Sequence, residues 1–286
     1  MIVVTGATGN VGRTLVRLLN EAGEPVTAVS RKITETDVPD GVRTVAADLA
    51  DPASLRPALQ GADALFLLIS GDFSVAAADP AGTIGAVLED AKAEGVARTV
   101  LLSSQGVVTR PDSASHGQMG AAIEDAVRRS GLDWTILRPG GFASNAFAWA
   151  EPVRTQRIAP APFGDVGLPL VDPADIAEVA HTVLREDGHA GQIYTLTGPA
   201  LSTPRQRAEV IAGALGEPVR FVEQTHDEAR AQMLRFMPEP VADTTLAIIG
   251  KPSPAEQRIS PDIERVTGRA PRTFADWAER NIAAFR

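Results

Sequence analysis

Apolar residues along the chain fall into two alternating rhythms. Short unbroken runs read as strands at Ile2–Val4, Val26–Ser30, Val42–Ala46, Ala64–Ser70, Thr99–Ser103 and Trp134–Leu137. Between them the apolar positions recur every three or four residues, which predicts helices over Asn10–Ala22, Pro52–Gln60, Thr83–Glu94 and about Gly117–Ser130. In the first of these, Val11, Leu15, Leu18, Leu19 and Ala22 form the apolar stripe and Gly23 marks the stop. Alternation of this kind predicts an α/β fold with a parallel, doubly wound sheet and helices on both faces. Right-handed crossovers then bring every loop that follows a strand to one edge, where ligands sit in such sheets.

After Pro139 the rhythm breaks. The Pro- and Gly-rich stretch Pro152 to Pro169 reads as irregular and leads to a helix capped by Asp172, with Pro173 in its first turn. Ile176, Val179, Ala180, Val183 and Leu184 form that helix's buried face. Gln192–Thr197 reads as a last strand returning to the sheet. From Thr203 onward helices dominate, with one short strand candidate at Val219–Glu223. No repeat, low-complexity tract or flexible linker interrupts the chain.

The turn after the first strand carries the first chemistry. In Thr5-Gly-Ala-Thr-Gly-Asn-Val-Gly12, Gly6 permits a reversal with an unusual φ, Gly9 lets a pyrophosphate approach the backbone, and Gly12 lets the next helix sit close to the strand. The helix start offers unpaired N–H groups and its positive dipole end to phosphates. Gly6, Thr8, Gly9, Asn10, Val11, Gly12 and Arg13 are therefore candidate dinucleotide contacts. The second strand ends in Ser30, Arg31 and Lys32 where an NAD site carries Asp or Glu. A carboxylate there would repel a 2′-phosphate. Arg31, with Lys32, Ser30 and Arg13 near it, would bind one, so NADP(H) is expected over NAD(H). Asp48 and Leu49 read as adenine contacts, because Asp51 is placed to cap the helix from Pro52 and leaves Asp48 free. Leu68, Ile69 and Ser70 would cover the ribose side.

The glycine turn resembles the short-chain dehydrogenase/reductase superfamily, in its extended and atypical branches. Ala47-Asp48-Leu49, Leu101-Leu-Ser-Ser-Gln-Gly106, Ser130-Gly-Leu-Asp-Trp-Thr-Ile-Leu-Arg-Pro139 and Asp172-Pro-Ala-Asp-Ile-Ala-Glu-Val-Ala180 are similar to the NmrA-like group of NAD(P)H-binding proteins. The resemblance covers about the first two-thirds of the chain. It implies a Rossmann-type core over 1–150, rejoined by about 171–197, with 151–170 and 198–286 forming a smaller, mostly helical region that caps the substrate.

The superfamily's main members use a Ser, a Tyr and a Lys four residues after the Tyr. Here the one tyrosine is Tyr194 and the lysines are Lys32, Lys92 and Lys251, so no such pair exists. Glu124 fits the place of a glutamate that related extended enzymes carry four residues beyond the Lys. Counting back puts Gly120 at the Lys place and His116 at the Tyr place. His116 is a proton-donor candidate near neutral pH, and equally a plain polar residue of a helix start. Ser103 and Ser104 fall where the superfamily's substrate-facing serine sits, and Ser103 is also placed to touch the nicotinamide ribose. Pro139, Gly140, Gly141 and Phe142 would run beside the nicotinamide. Phe73, Gln105, Phe142, Asn145, Phe147, Trp149, Met233, Phe236 and Met237 are candidate substrate-lining residues, suited to a flat apolar or aromatic compound. Each could instead belong to the core under the cap.

Composition narrows the partners. With 286 residues, 44% hydrophobic and 22% charged, the chain has enough material for a sizeable core. A net charge of −9 argues against nucleic acid or an anionic membrane as partner. There are no cysteines, and His181, His189 and His226 are scattered, so no metal site is expected. The first core strand begins at the N-terminus and no apolar run is long enough to span a bilayer, which points to a cytoplasmic protein, monomeric or homodimeric. The resemblance implies an NADPH-dependent reductase of a small hydrophobic carbonyl, quinone or aromatic compound. It also admits a non-catalytic NADP(H) sensor that regulates a partner.

Overall fold

A computed structural model of the chain describes residues 1–69 and 79–286. Seven strands make one parallel sheet: β1 (Ile2–Thr5), β2 (Val26–Ser30), β3 (Arg43–Ala46), β4 (Ala64–Leu68), β5 (Arg98–Leu102), β6 (Asp133–Pro139) and β8 (Gln192–Leu196). Their order is β3-β2-β1-β4-β5-β6-β8, the Rossmann-type pattern. These strands read as continuous apolar runs because helices cover both faces. Val3, Val4, Leu65, Phe66, Leu67 and Val100 are all fully buried.

One face is covered by α1 (Gly12–Glu21) and α7 (Pro173–Arg185), packed on Val4, Phe66, Val100 and Leu196. The other is covered by α2 (Pro52–Leu59), α3 (Pro80–Ala93) and α5 (Met119–Arg129), packed on Val3, Leu65, Leu67 and Ile136. The buried face of α1 is Gly12, Leu15, Val16 and Leu19, so Val16 joins a stripe in which Leu18 is only partly buried. Asp172 caps α7 as expected, accepting the Ala174 N–H at 2.9 Å. Between β5 and α5 come a helical turn, α4 (Gly106–Thr109), and a wide π-type turn, Ala114–Gln118.

The Pro-rich stretch after β6 is more regular than its composition predicts. Helix α6 (Ala150–Gln156) takes Pro152 near its start, where a missing N–H costs nothing. β7 (Ile158–Ala161) accommodates Pro160 because it pairs on one side only, in parallel with β9 (Arg220–Glu223). The rest of the C-terminal region comprises α8 (Pro204–Leu215), α9 (His226–Met233), α10 (Glu239–Gly250), α11 (Asp262–Thr267) and α12 (Phe274–Asn281). Its own core gathers Trp149, Val153, Leu168, Ile211, Trp277 and Phe285. Among the described residues, no helix is long and apolar enough to cross a membrane.

Candidate active site

The glycine turn at the end of β1 has the shape its spacing requires. Gly6 has φ +64°, and a Cβ on it would come within 2.9 Å of Leu68 Cδ2. A Cβ on Gly12 would lie 2.1 Å from the Gly6 carbonyl oxygen, so only glycine lets α1 start this close to the turn. Gly9 is exposed and closes the turn by donating its N–H to Gly6 O at 3.0 Å. α1 begins with no side-chain cap and no acidic residue in its first turn. Its N-terminal N–H groups and dipole therefore face a place that fits an anion, which is what a dinucleotide pyrophosphate supplies.

Thr8 ties this turn to β2 through a 3.1 Å contact between its Oγ1 and Ser30 Oγ. Arg13 donates to Thr8 O at 2.6 Å, Arg31 and Lys32 are exposed beyond β2, and Asn10 is exposed beside them. Val11 is buried to 2% exposure, so its side chain belongs to the core and only its backbone faces outward. A cleft of about 330 Å³ opens here, lined by Arg13, Thr14, Arg17, Thr36, Asp37, Val38 and Pro39. The cleft's acid, Asp37, is held below the usual carboxylate range by the backbone N–H and hydroxyl of Thr34. Arg17 and Thr36 carry no motif of their own, which is why the sequence does not reveal them.

Asp48 is less free than its position predicts. Asp51 occupies the cap position of α2, but its side chain makes no cap bond. Asp48 instead closes its own turn by accepting the Ala50 N–H at 3.0 Å. Leu49, Leu68 and Ile69 are half-buried and pack on the sheet's cores. Ser70 and Phe73 lie outside the described residues.

At the end of β5 two serines have different partners. Ser103 Oγ donates at 2.7 Å to Glu124, whose side chain is fully buried. The Glu124 carboxylate also accepts from Arg138 at 2.8 and 2.5 Å and from Arg128 at 2.7 Å. Burial works against the charge of Glu124, yet these donors outweigh it and hold the carboxyl below its ordinary range. Ser104 Oγ accepts the Gly106 N–H at 3.0 Å.

His116 stands over this corner. A Cβ on Gly106 would come 2.9 Å from His116 Cβ and 3.2 Å from Ser104 Oγ, so the three residues are in contact range. His116 Nδ1 lies 2.9 Å from Ser115 Oγ, which also reaches Pro240 O at 3.2 Å. One hydroxyl proton serves both, so the tautomer of His116 is coupled to that contact. Burial pushes the His116 pKa below its usual value and the nearby Glu256 carboxylate partly offsets this.

The segment carrying His116 is pinned to the C-terminal region by a strap over residues 251–260. Arg110 makes a two-pronged pair with Glu256 at 2.7 Å on each arm and donates to Lys251 O at 3.0 Å. Ser113 Oγ and Thr244 Oγ1 lie 3.0 Å apart. Further along, Gln105 Nε2 reaches Ala255 O at 3.4 Å, Gln257 donates to Gly167 O at 3.0 Å, and Ser260 N–H donates to Thr197 Oγ1 at 2.9 Å. Arg110 and Glu256 lie 146 residues apart in sequence, so no local pattern announces the pair.

Beside β6, Gly140 donates its N–H to Leu196 O at 2.9 Å, and Gly141 O accepts the Val171 N–H at 2.8 Å. A Cβ at Gly140 would lie 3.0 Å from Gln105 Oε1 and one at Gly141 2.8 Å from Leu170 Cδ2, tight contacts with side-chain ends that can move aside. Pro139 is buried, and Phe142 is half-buried against the sheet core.

The expected aromatic lining is only partly brought together. Phe147 sits edge-on to Trp277 with ring centres 4.9 Å apart, and Trp149 is 7% exposed with its indole N–H on Pro160 O at 2.8 Å. Both are committed to the cap's own core, because their rings complete the Trp277–Phe285 cluster. Asn145 is exposed, Met233 and Met237 are half-buried, and Phe236 is 68% exposed. Among the described residues no group of three or more His, Cys, Asp or Glu is placed to hold a metal ion.

The family described as NAD(P)H-binding matches residues 6–187. A (4-alkanoyl-5-oxo-2,5-dihydrofuran-3-yl)methyl phosphate reductase of Streptomyces griseus is 36% identical, covering 100% of this chain and 99% of its own. An NAD(P)H azoreductase of Xenophilus azovorans is 34% identical, again covering 100% and 99%. The fold superposes on the NADPH complex of quinone oxidoreductase QOR2 from Escherichia coli with a TM-score of 0.79 and 24% identity, over 98% of this chain and 99% of that one. With its Rossmann-type sheet and glycine turn, the chain belongs to the NAD(P)H-binding family, among its oxidoreductases.

Proposed function

We propose that this chain reduces a small hydrophobic carbonyl compound, quinone or related aromatic acceptor, and that it prefers NADPH. The observation that carries the reading is the corner formed by Ser104, Gly106 and His116 at the carboxyl edge of the sheet, next to the Gln105–Gly140 contact. When bound, the cofactor supplies a hydride. The chain's residues hold it and handle the proton: the glycine turn takes the pyrophosphate, and Arg13, Arg31 and Lys32 favour a 2′-phosphate. His116 in its imidazolium form donates a proton to the substrate oxygen or nitrogen.

Ser103 takes a different part from the superfamily's serine. Its proton is engaged by the buried Glu124 carboxylate, so it offers lone pairs to a ligand donor such as a ribose hydroxyl. A chain without a Tyr–Lys pair suits acceptors that need little acid assistance. A quinone is one, because its reduced product is a stabilised phenolate. The azoreductase and the (4-alkanoyl-5-oxo-2,5-dihydrofuran-3-yl)methyl phosphate reductase, each similar over the whole chain, support reduction of conjugated acceptors.

The test is a fluorescence titration with NADPH and NADH, followed by cofactor oxidation against a panel of quinones, azo dyes and ketones. Tighter NADPH binding with turnover of quinones is the expected result. Tight binding without turnover of any compound would contradict it, as would turnover of simple ketones alone.

A further inference from the structure

Among the described residues, two buried side-chain polar atoms lack a hydrogen-bond partner, Thr99 Oγ1 and Gln105 Oε1. Thr99 lies near the start of β5, away from the sheet's carboxyl edge. Gln105 lies just past the end of that strand, at 6% exposure, beside the corner of Ser104, Gly106 and His116. Its backbone is fixed there, because its N–H donates to Pro139 O at 3.0 Å and carries the β5–β6 pairing beyond Leu102 and Leu137. A buried carbonyl oxygen without a donor costs stability, so its retention calls for a reason.

The strap sets which way the Gln105 amide faces. Nε2 reaches Ala255 O at 3.4 Å. That carbonyl only accepts, so turning the amide over would set oxygen against oxygen. Oε1 is therefore the atom turned toward Gly140, where a Cβ would lie 3.0 Å from it. The bond to Ala255 is long and holds the amide weakly. Position in the sheet supplies the rest. In the order β3-β2-β1-β4-β5-β6-β8 the glycine turn follows β1, and Arg31 and Lys32 follow β2. A dinucleotide anchored there lays its other half across the ends of β4, β5 and β6. That half carries the nicotinamide, whose carboxamide offers an N–H to an acceptor that has none.

We propose that Gln105 is a cofactor-binding residue whose Oε1 accepts a hydrogen bond from the nicotinamide carboxamide and so fixes the orientation of the ring. The proposal rests on the dinucleotide site and not on the reductase reading above. Oε1 is covered by the chain itself, so taking up the donor shifts the amide off its long bond to Ala255 O.

The test is a calorimetric titration of the full chain with NADP⁺ and two analogues. The 3-acetylpyridine form keeps the carbonyl on the ring but loses the N–H, whereas the thionicotinamide form keeps the N–H. The unaltered chain is expected to bind the acetylpyridine form roughly fivefold or more weakly than NADP⁺, and the thionicotinamide form with little loss. In Gln105→Met, which fills similar space without a hydrogen-bonding oxygen, the gap between NADP⁺ and the acetylpyridine form should close through weaker binding of NADP⁺. Equal affinities for those two in the unaltered chain would overturn the proposal, and that arm needs no variant to fold. An equal loss with the thionicotinamide form would overturn it as well, as would a gap that persists in Gln105→Met. Every readout is a binding constant, so a failure to turn over any acceptor would sink the reductase reading alone.

Discussion

The glycine turn and the strap-covered corner share the carboxyl edge of one sheet, yet they are assembled in opposite ways. The turn draws its parts from one short stretch, Thr5 to Arg13, and its geometry is fixed by backbone: a positive φ at Gly6 and a missing Cβ at Gly12. The corner draws on β5, the π-type turn, α5, β6 and the strap, and side-chain charge holds it. Ser103, Arg128 and Arg138 gather around the buried Glu124, and Arg110 with Glu256 clamps the loop that carries His116. Binding a cofactor needs a cradle of standard shape, which local sequence can encode. Placing a proton donor against a variable substrate needs contacts across the whole chain. Their vulnerabilities should differ accordingly.

The largest effect is expected from emptying the charged corner. Glu124→Ala leaves Arg138 and Arg128 facing a buried gap and should cost about 3–5 kcal/mol of stability, read as a lower denaturant midpoint. A near-neutral result would mean that the cluster is solvated and does not hold the corner. In the turn, Gly12→Ala must push α1 off the Gly6 carbonyl. That should cost about 1–3 kcal/mol of stability and weaken cofactor binding in a calorimetric titration, whereas Glu124→Ala, which reaches the cofactor only through Ser103, should weaken NADPH binding less in the folded fraction. If the two variants weakened the cofactor equally, the division between turn and corner would fail.

Smaller changes sharpen the same division. Arg31→Glu and Arg13→Glu should each reduce the NADPH-to-NADH preference by roughly tenfold or more, measured as a ratio of dissociation constants, without altering kcat. The smallest effect concerns pH and stability. His116 is held below its usual pKa near 6.5, so the folded state binds fewer protons than the unfolded chain there. Its contribution is present above that value and lost as pH falls through it. His116→Gln should therefore flatten part of the acid-side loss in thermal melts as pH falls below about 6.5.

How legible each region was follows from the same contrast. The alternation of apolar runs gave the seven-stranded parallel sheet and the helices on its faces, and the spacing of Gly6, Gly9 and Gly12 gave the turn. Proline content misled over Pro152–Pro169, because a helix start and a one-sided strand both tolerate proline, as Pro152 and Pro160 show. Phe147 and Trp149 read equally as pocket or core residues, since apolar character alone does not decide between the two; in the fold they pack with the C-terminal region's core. Asp48 was read as free because Asp51 holds the cap position, but the short Asx turn to Ala50 engages it. Glu124 was visible only as a register mark. Its partners Ser103 and Arg138 lie 21 and 14 residues away and meet it through the fold alone.

The most direct test of the account is the pH dependence of single-turnover NADPH oxidation by a quinone, in the unaltered chain and in His116→Ala. The account predicts that the rate falls as pH rises through a pKa below 6.5. The variant should be nearly flat with pH and slower at low pH, by less than the roughly hundredfold usual for general acid catalysis, because a quinone needs little acid assistance. Identical rates and identical profiles in the two proteins would contradict the role assigned to His116.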